Sequence, residues 1–251
     1  MGRARRDAPS HGEAYEIGAA ASLEQHADDY QGALSLCGAN LPGARLAQEL
    51  LTTLVAFDYF LPDAAGKSGG LSTPQAAANQ GEVMSAIAAA LAGKPEVIDQ
   101  LARVLQVPAD ALPGVVSLHY LVFQDMAQRA GGMPVDNRAT VYRGFDDDKA
   151  FNAGVRRYAG DAKAIRYVAS APALTGQSRR PLVLQYNHAD PTITPHFQSI
   201  FADLSSAAGT TRPLTLPAAG DGHCGFSSKQ IAEAFQVLVD WVRSGQRPGI
   251  E

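Results

Sequence analysis

Residues 181–187 (PLVLQYN), with Asp190 three positions on, and residues 213–217 (PLTLP), with His223 in the glycine-rich GDGHCGF at 220–226, decide the fold. Each run is short, apolar and bounded by proline or turn residues, as a buried strand is. A helical pattern follows each: residues 195–208 after the first and 227–245 after the second, where Ile231, Phe235, Leu238 and Val242 recur on one face. Strand and helix in alternation predict a parallel sheet. All strands of such a sheet end at one edge, so the loops leaving them converge. Asp190 and His223 are therefore expected at the same edge, in the order strand, acid, strand, histidine, helix.

Toward the N-terminus the pattern becomes helical. Residues 44–61 place Leu46, Leu50, Leu54 and Phe57 at helical spacing and stop at Pro62. Further helices are predicted at 73–93, 94–106 and 114–129, with a turn-rich stretch at 131–145 and another helix from Asp146, Asp147 and Asp148 to residue 158. Aspartates at a helix start cap it and face the positive end of its dipole, which accounts for these three without a metal. Residues 30–38 (YQGALSLCG) read as a strand fed by a helix over 17–26. The chain divides into residues 1–43 with a helix and the first core strand, an all-helical insertion at 44–171, and a C-terminal α/β part at 172–251.

With 46% hydrophobic and 18% charged residues, the 251-residue chain can bury a sizeable core. Its net charge of -4 provides no basic stripe for phosphate neutralisation, so nucleic acid is not an expected partner. No apolar run reaches the roughly 18 to 20 residues of a membrane span. Residues 1–6 (MGRARR) are basic without an apolar stretch after them, so no export signal is expected and the compartment stays unassigned.

A carboxylate at Asp190 could orient an imidazole arriving from the next loop; equally, an aspartate before Pro191 is a common turn former. His223 lies in a loop that presents side chains, where a histidine has no packing reason to be, and this placement suits a general base.

These residues carry a resemblance. YQGALSLCG at 30–38, YRGFDD at 142–147, FNAGV at 151–155, PLVLQYN with Asp190, GHCGF at 222–226, and Trp241-Val242 with Gly245 and Arg247-Pro248 are similar to the serine α/β-hydrolase family. Within it the chain resembles in particular the secreted-type bacterial esterases and peptidases with a helical lid. The resemblance implies hydrolysis of an ester or amide through an acyl-enzyme, with Asp190 as acid, His223 as base, residues 44–171 as lid, and no cofactor. It also implies a small-molecule ester or peptide substrate.

The family's Gly-x-Ser-x-Gly elbow has its nearest counterpart in Ala8-Pro9-Ser10-His11-Gly12, which departs from it at Ala8 and lacks an apolar strand before it. Ser10 is the candidate nucleophile, with the His11 backbone N–H as oxyanion donor; the other reading makes it a serine of the N-terminal tail. About three strands of the family's usual eight are legible, so the chain reads as the C-terminal part of a longer hydrolase. An exposed sheet edge and self-association are expected to follow. The rival function is a non-catalytic fragment that keeps the fold as a binding module.

Cys37 ends one strand and Cys224 follows His223, which leaves two outcomes: a disulfide pinning the histidine loop, or two thiols. Gly220, Gly222 and Gly225 spell a dinucleotide fingerprint, but Asp240 falls within a helix rather than after a second strand. Gly66-Lys67-Ser68 lacks the strand and leading glycine of a phosphate loop. His188, Asp190 and His196 lack a fourth metal ligand. His119 lies in a helical stretch with no visible partner.

Overall fold

The protein is described by a computed structural model covering residues 18–62, 70–74, 79–170 and 174–249. It is a mixed α/β protein, rich in helix, built on a small parallel sheet of β1 (Ala33–Leu36), β2 (Leu182–Gln185) and β3 (Leu214–Thr215) in the order β1-β2-β3. Ala33 pairs with Leu182 and Leu36 with Gln185; Val183 pairs with Leu214. All four residues of β2 are buried, as a central parallel strand covered on both faces must be.

Alternation along β2 sends its side chains to two cores. Leu182, Leu184 and Tyr186 pack with Ala20 and Leu23 of α1 (Gly18–Gln25) and with Phe197 and Phe201. Val183 and Leu214 pack on the other face with Leu238 and Trp241 of the terminal helix, Ser228–Ser244. That helix opens with a reciprocal cap: Ser227 Oγ accepts from Gln230 N–H while Gln230 Oε1 accepts from Ser227 N–H. Its buried stripe is Ala234, Leu238 and Trp241, so the predicted face is rotated: Ile231 and Phe235 stand exposed because the helix turns its small Ala234 inward.

Between β1 and β2 the described residues that form regular structure are helical. These helices are α2 (Gly43–Phe60), α3 (Gln80–Leu91), α4 (Pro95–Leu105), α5 (Leu112–Ala130), α6 (Asp148–Gly154) and α7 (Ala162–Ser170). They share their own core, in which Leu50, Leu54 and Phe57 of α2 meet Val116, Tyr120 and Phe123 of α5.

The helical assignments depart most from the sequence expectation at four places. The third helix starts at Gln80, where Asn79 Oδ1 accepts from Gly81 N–H, not at residue 73; residues 75–78 lie outside the described ones. The aspartate-led helix ends at Gly154 rather than 158. Residues 162–170 form a helix that no periodicity announced. The stretch 195–208 is broken at Ser199 into α8 (Pro195–Gln198) and α9 (Ile200–Ala207), and the terminal helix is α10. Of the three aspartates only Asp147 caps the helix, accepting from Ala150 N–H; Asp148 accepts from Phe145 N–H ahead of the helix, and Asp146 pairs with Arg103 of α4.

A further correction concerns His119 of α5, which does have a partner. Its Nδ1 lies 2.8 Å from Thr53 Oγ1 on α2, inside the helical core. Burial pushes the imidazole down to about 4. Unfolded, the ring would titrate near 6.5, so on acidification the unfolded chain takes up the proton first. The stability of the neutral buried ring is complete above about 6.5 and is lost as pH falls toward about 4, by on the order of 2–3 kcal/mol. Asp58, whose buried carboxyl is raised, acts with the opposite sign, so only a comparison isolates His119. Urea denaturation of wild type and His119→Gln at pH 7 and 4.5 should show the stability gap between them shrinking by that amount; an unchanged gap would refute it.

Candidate active site

β2 delivers Asp190 and β3 delivers His223, and the backbone keeps the two loops in register beyond the strands. Leu216 N–H donates to Leu184 O, Ala219 N–H to Tyr186 O and His188 N–H to Gly220 O; Gly222 N–H returns a bond to His188 O. His188 and Asp221 thereby form a parallel bridge. Side chains add rungs: Gln185 Nε2 donates to Pro217 O and Asn187 Nδ2 to Ala219 O. The ladder thus continues into both loops, and their relative position is set by the sheet.

The turn after β3 depends on glycine. Gly220 has φ +69, and a Cβ there would lie 2.1 Å from Gly225 O. Any side chain would force the histidine loop off the sheet edge. Non-glycine residues with positive φ also gather here: Cys37 at 48°, Ala189 at 48° and Cys224 at 55°, in a conformation that costs roughly 1–3 kcal/mol each.

Asp190 is buried, and its carboxylate does two jobs. Oδ1 accepts from Thr192 N–H at 2.8 Å and Ile193 N–H at 3.0 Å, closing the turn through Pro191. Both oxygens also lie within reach of His223 Nδ1, Oδ1 at 3.2 Å and Oδ2 at 3.1 Å. The turn-former and imidazole-orienting roles therefore coexist: the backbone amides lock the carboxylate and the carboxylate aims the ring. The Asp190 side chain is fully buried, whereas that of His223 is 29% exposed. Such a pair fixes the proton on Nδ1 and makes Nε2 the acceptor nitrogen of the ring, the tautomer a general base needs.

Cys37 and Cys224 form a disulfide with Cα atoms 5.4 Å apart. It ties the end of β1 to the residue after His223, and Cys224 Sγ lies 3.8 Å from His223 Nε2. On the β1 side, Cys37 N–H donates to Gln185 O, and Ser35 and Asn40 bond to each other across the turn. The imidazole is thus restrained from both directions, through Nδ1 by Asp190 and along its backbone by the bridge.

Ser10 and His11 lie outside the described residues. His196, a metal-ligand candidate in the sequence, instead faces Glu49 Oε1 at 3.1 Å and Arg45 at 3.2 Å. His188 is exposed and serves the loop through its backbone. Among the described residues no helix is long and apolar enough to cross a membrane. The sequence marks Asp190-Pro191 and the glycine-rich loop as turns, but not the Thr192 and Ile193 amides as partners of the carboxylate nor the close approach of Gly220 to Gly225. In comparison with known proteins, no family model matches the chain, and neither a curated protein nor a solved structure matches it.

Proposed function

We propose that the protein is a serine hydrolase of the α/β-hydrolase type that cleaves an ester or amide bond. The observation that supports this reading is the pairing of a buried, amide-locked Asp190 with a partly exposed His223 across two loops at one sheet edge. In the reaction a serine Oγ attacks the acyl carbonyl while His223 Nε2 takes its proton. The imidazolium, stabilised by Asp190, then returns that proton to the leaving group. Water repeats the cycle on the acyl-enzyme. Ser10 is proposed as the nucleophile, the His11 backbone N–H as an oxyanion donor, and the helical residues between β1 and β2 as the lid.

A fluorophosphonate probe followed by peptide mass spectrometry tests the assignment. Labelling is expected on Ser10 and should disappear in His223→Ala. Labelling of another serine with the same His223 dependence would move the nucleophile while keeping the chemistry. A folded, unlabelled protein would overturn the hydrolase reading in favour of a non-catalytic binding module.

A further inference from the structure

A cavity of about 310 Å³ lies between the helices and the segment that follows Asp190, with walls from α2, α4, α5, the 140–145 loop and α8. Neither His223 nor Asp190 lines it. Its volume falls at the lower end of the range typical of small-molecule sites, with room for roughly ten water-sized groups. Much of the wall is apolar, with Val104, Val107, Val115, Phe145 and Phe197 facing the space. Gln48, Thr52, Gln106, Thr140, Tyr142 and Thr194 also line it, and two further polar groupings define what an occupant must offer.

One is the buried pair His119 and Thr53. A threonine hydroxyl has one hydrogen, and Thr53 Oγ1 donates it to Glu49 O one helical turn earlier, at 3.3 Å. The 2.8 Å contact to the imidazole is then Nδ1–H donating to Thr53 Oγ1, which leaves Nε2 as an acceptor. Desolvation keeps the ring neutral at ordinary pH, so the acceptor persists. An occupant reaching the ring must bring a hydrogen-bond donor.

The second is a group of charged side chains on α2, α8 and the 140–145 loop. Glu49 is already engaged by Arg45 at 2.6 Å and faces His196 at 3.1 Å. Arg143 is exposed, lines the cavity and has no carboxylate partner among the described residues. Two guanidiniums against one carboxylate leave these walls net positive, which favours an anion. The geometry points to a binding site, separate from the Asp190–His223 pair, for a small carboxylate with an apolar body and a hydroxyl or amide N–H at its far end. That group bonds His119 Nε2, and the carboxylate meets Arg143.

This inference does not depend on the hydrolase reading, and calorimetry on the full chain tests it without any catalysis. The probes are 3-(4-hydroxyphenyl)propionate, 3-phenylpropionate, which lacks the donor, and 3-(4-hydroxyphenyl)propionamide, which lacks the charge. The first should bind with Kd below about 1 mM and each of the others at least about tenfold more weakly, since a buried acceptor left unpaired is costly. His119→Phe should erase the preference for the hydroxyl and keep that for the carboxylate; Arg143→Gln should do the reverse. Should His119→Phe not fold, the three-ligand series on wild type decides the donor requirement alone. No binding of the first compound at about 10 mM, or equal affinities for all three, would overturn the site. Serine labelling that succeeds while these ligands fail to bind would reject this site and leave the hydrolase reading standing.

Discussion

Asp190→Asn should lower ester hydrolysis, or the rate of fluorophosphonate labelling, by about 10⁴-fold while leaving the fold intact. The substitution keeps the volume and keeps one oxygen, and that oxygen remains committed to the Thr192 and Ile193 amides at 2.8 and 3.0 Å. The introduced amide nitrogen must then take the place of Oδ2, 3.1 Å from His223 Nδ1. Two donors cannot share that contact, so Nδ1 gives up its proton and Nε2 acquires one. The ring stays in place with its lone pair on the wrong nitrogen. Turnover of a p-nitrophenyl ester, with circular dichroism and the urea midpoint as fold controls, reads the effect. A loss of less than about tenfold in a folded protein would mean that Asp190 acts only as a turn former and would remove the catalytic assignment.

The same contrast shows what could be read in the sequence. The runs at 181–187 and 213–217 announced themselves by apolar content and proline boundaries, and parallel topology then required their loops to meet. The Asp190–His223 contact follows from that topology and the two loop positions. What was not legible depends on tertiary choices of partner. His119 sits in a helical stretch whose polarity looks unremarkable in one dimension, and its partner Thr53 lies 66 positions away on another helix. The short helix Ala162–Ser170 buries only Ala164 and Val168, too narrow a stripe to stand out from loop. Ile231 and Phe235 misled because size suggested burial, whereas the sheet needed the small Ala234 at that contact. The proposed nucleophile is the largest gap, since the sequence before Ser10 shows neither the apolar run nor the first glycine that would identify an elbow.

The disulfide carries the largest expected stability effect. Cys37 and Cys224 are separated by 187 residues, so the bridge closes most of the chain into one loop. On the chain-entropy account a loop of that length removes about 5 kcal/mol of freedom from the unfolded state, comparable to the whole stability of many domains. Its location adds a local effect. The bridge anchors the residue after His223 to the end of β1, and both cysteines hold positive φ, which a chain released from the bond has reason to relax. Reduction, or the double substitution Cys37→Ser and Cys224→Ser, should therefore act in two steps. The urea midpoint should fall by the equivalent of several kcal/mol. Serine labelling should fall further than the folded fraction does, because the His223 loop loosens before the sheet opens. Urea melts with and without a phosphine reductant, read in parallel with labelling at each urea concentration, separate the two. An unchanged midpoint would show that the bridge is dispensable to the fold, and labelling that tracks the folded fraction at every point would show that Asp190 and the backbone ladder position the imidazole without it.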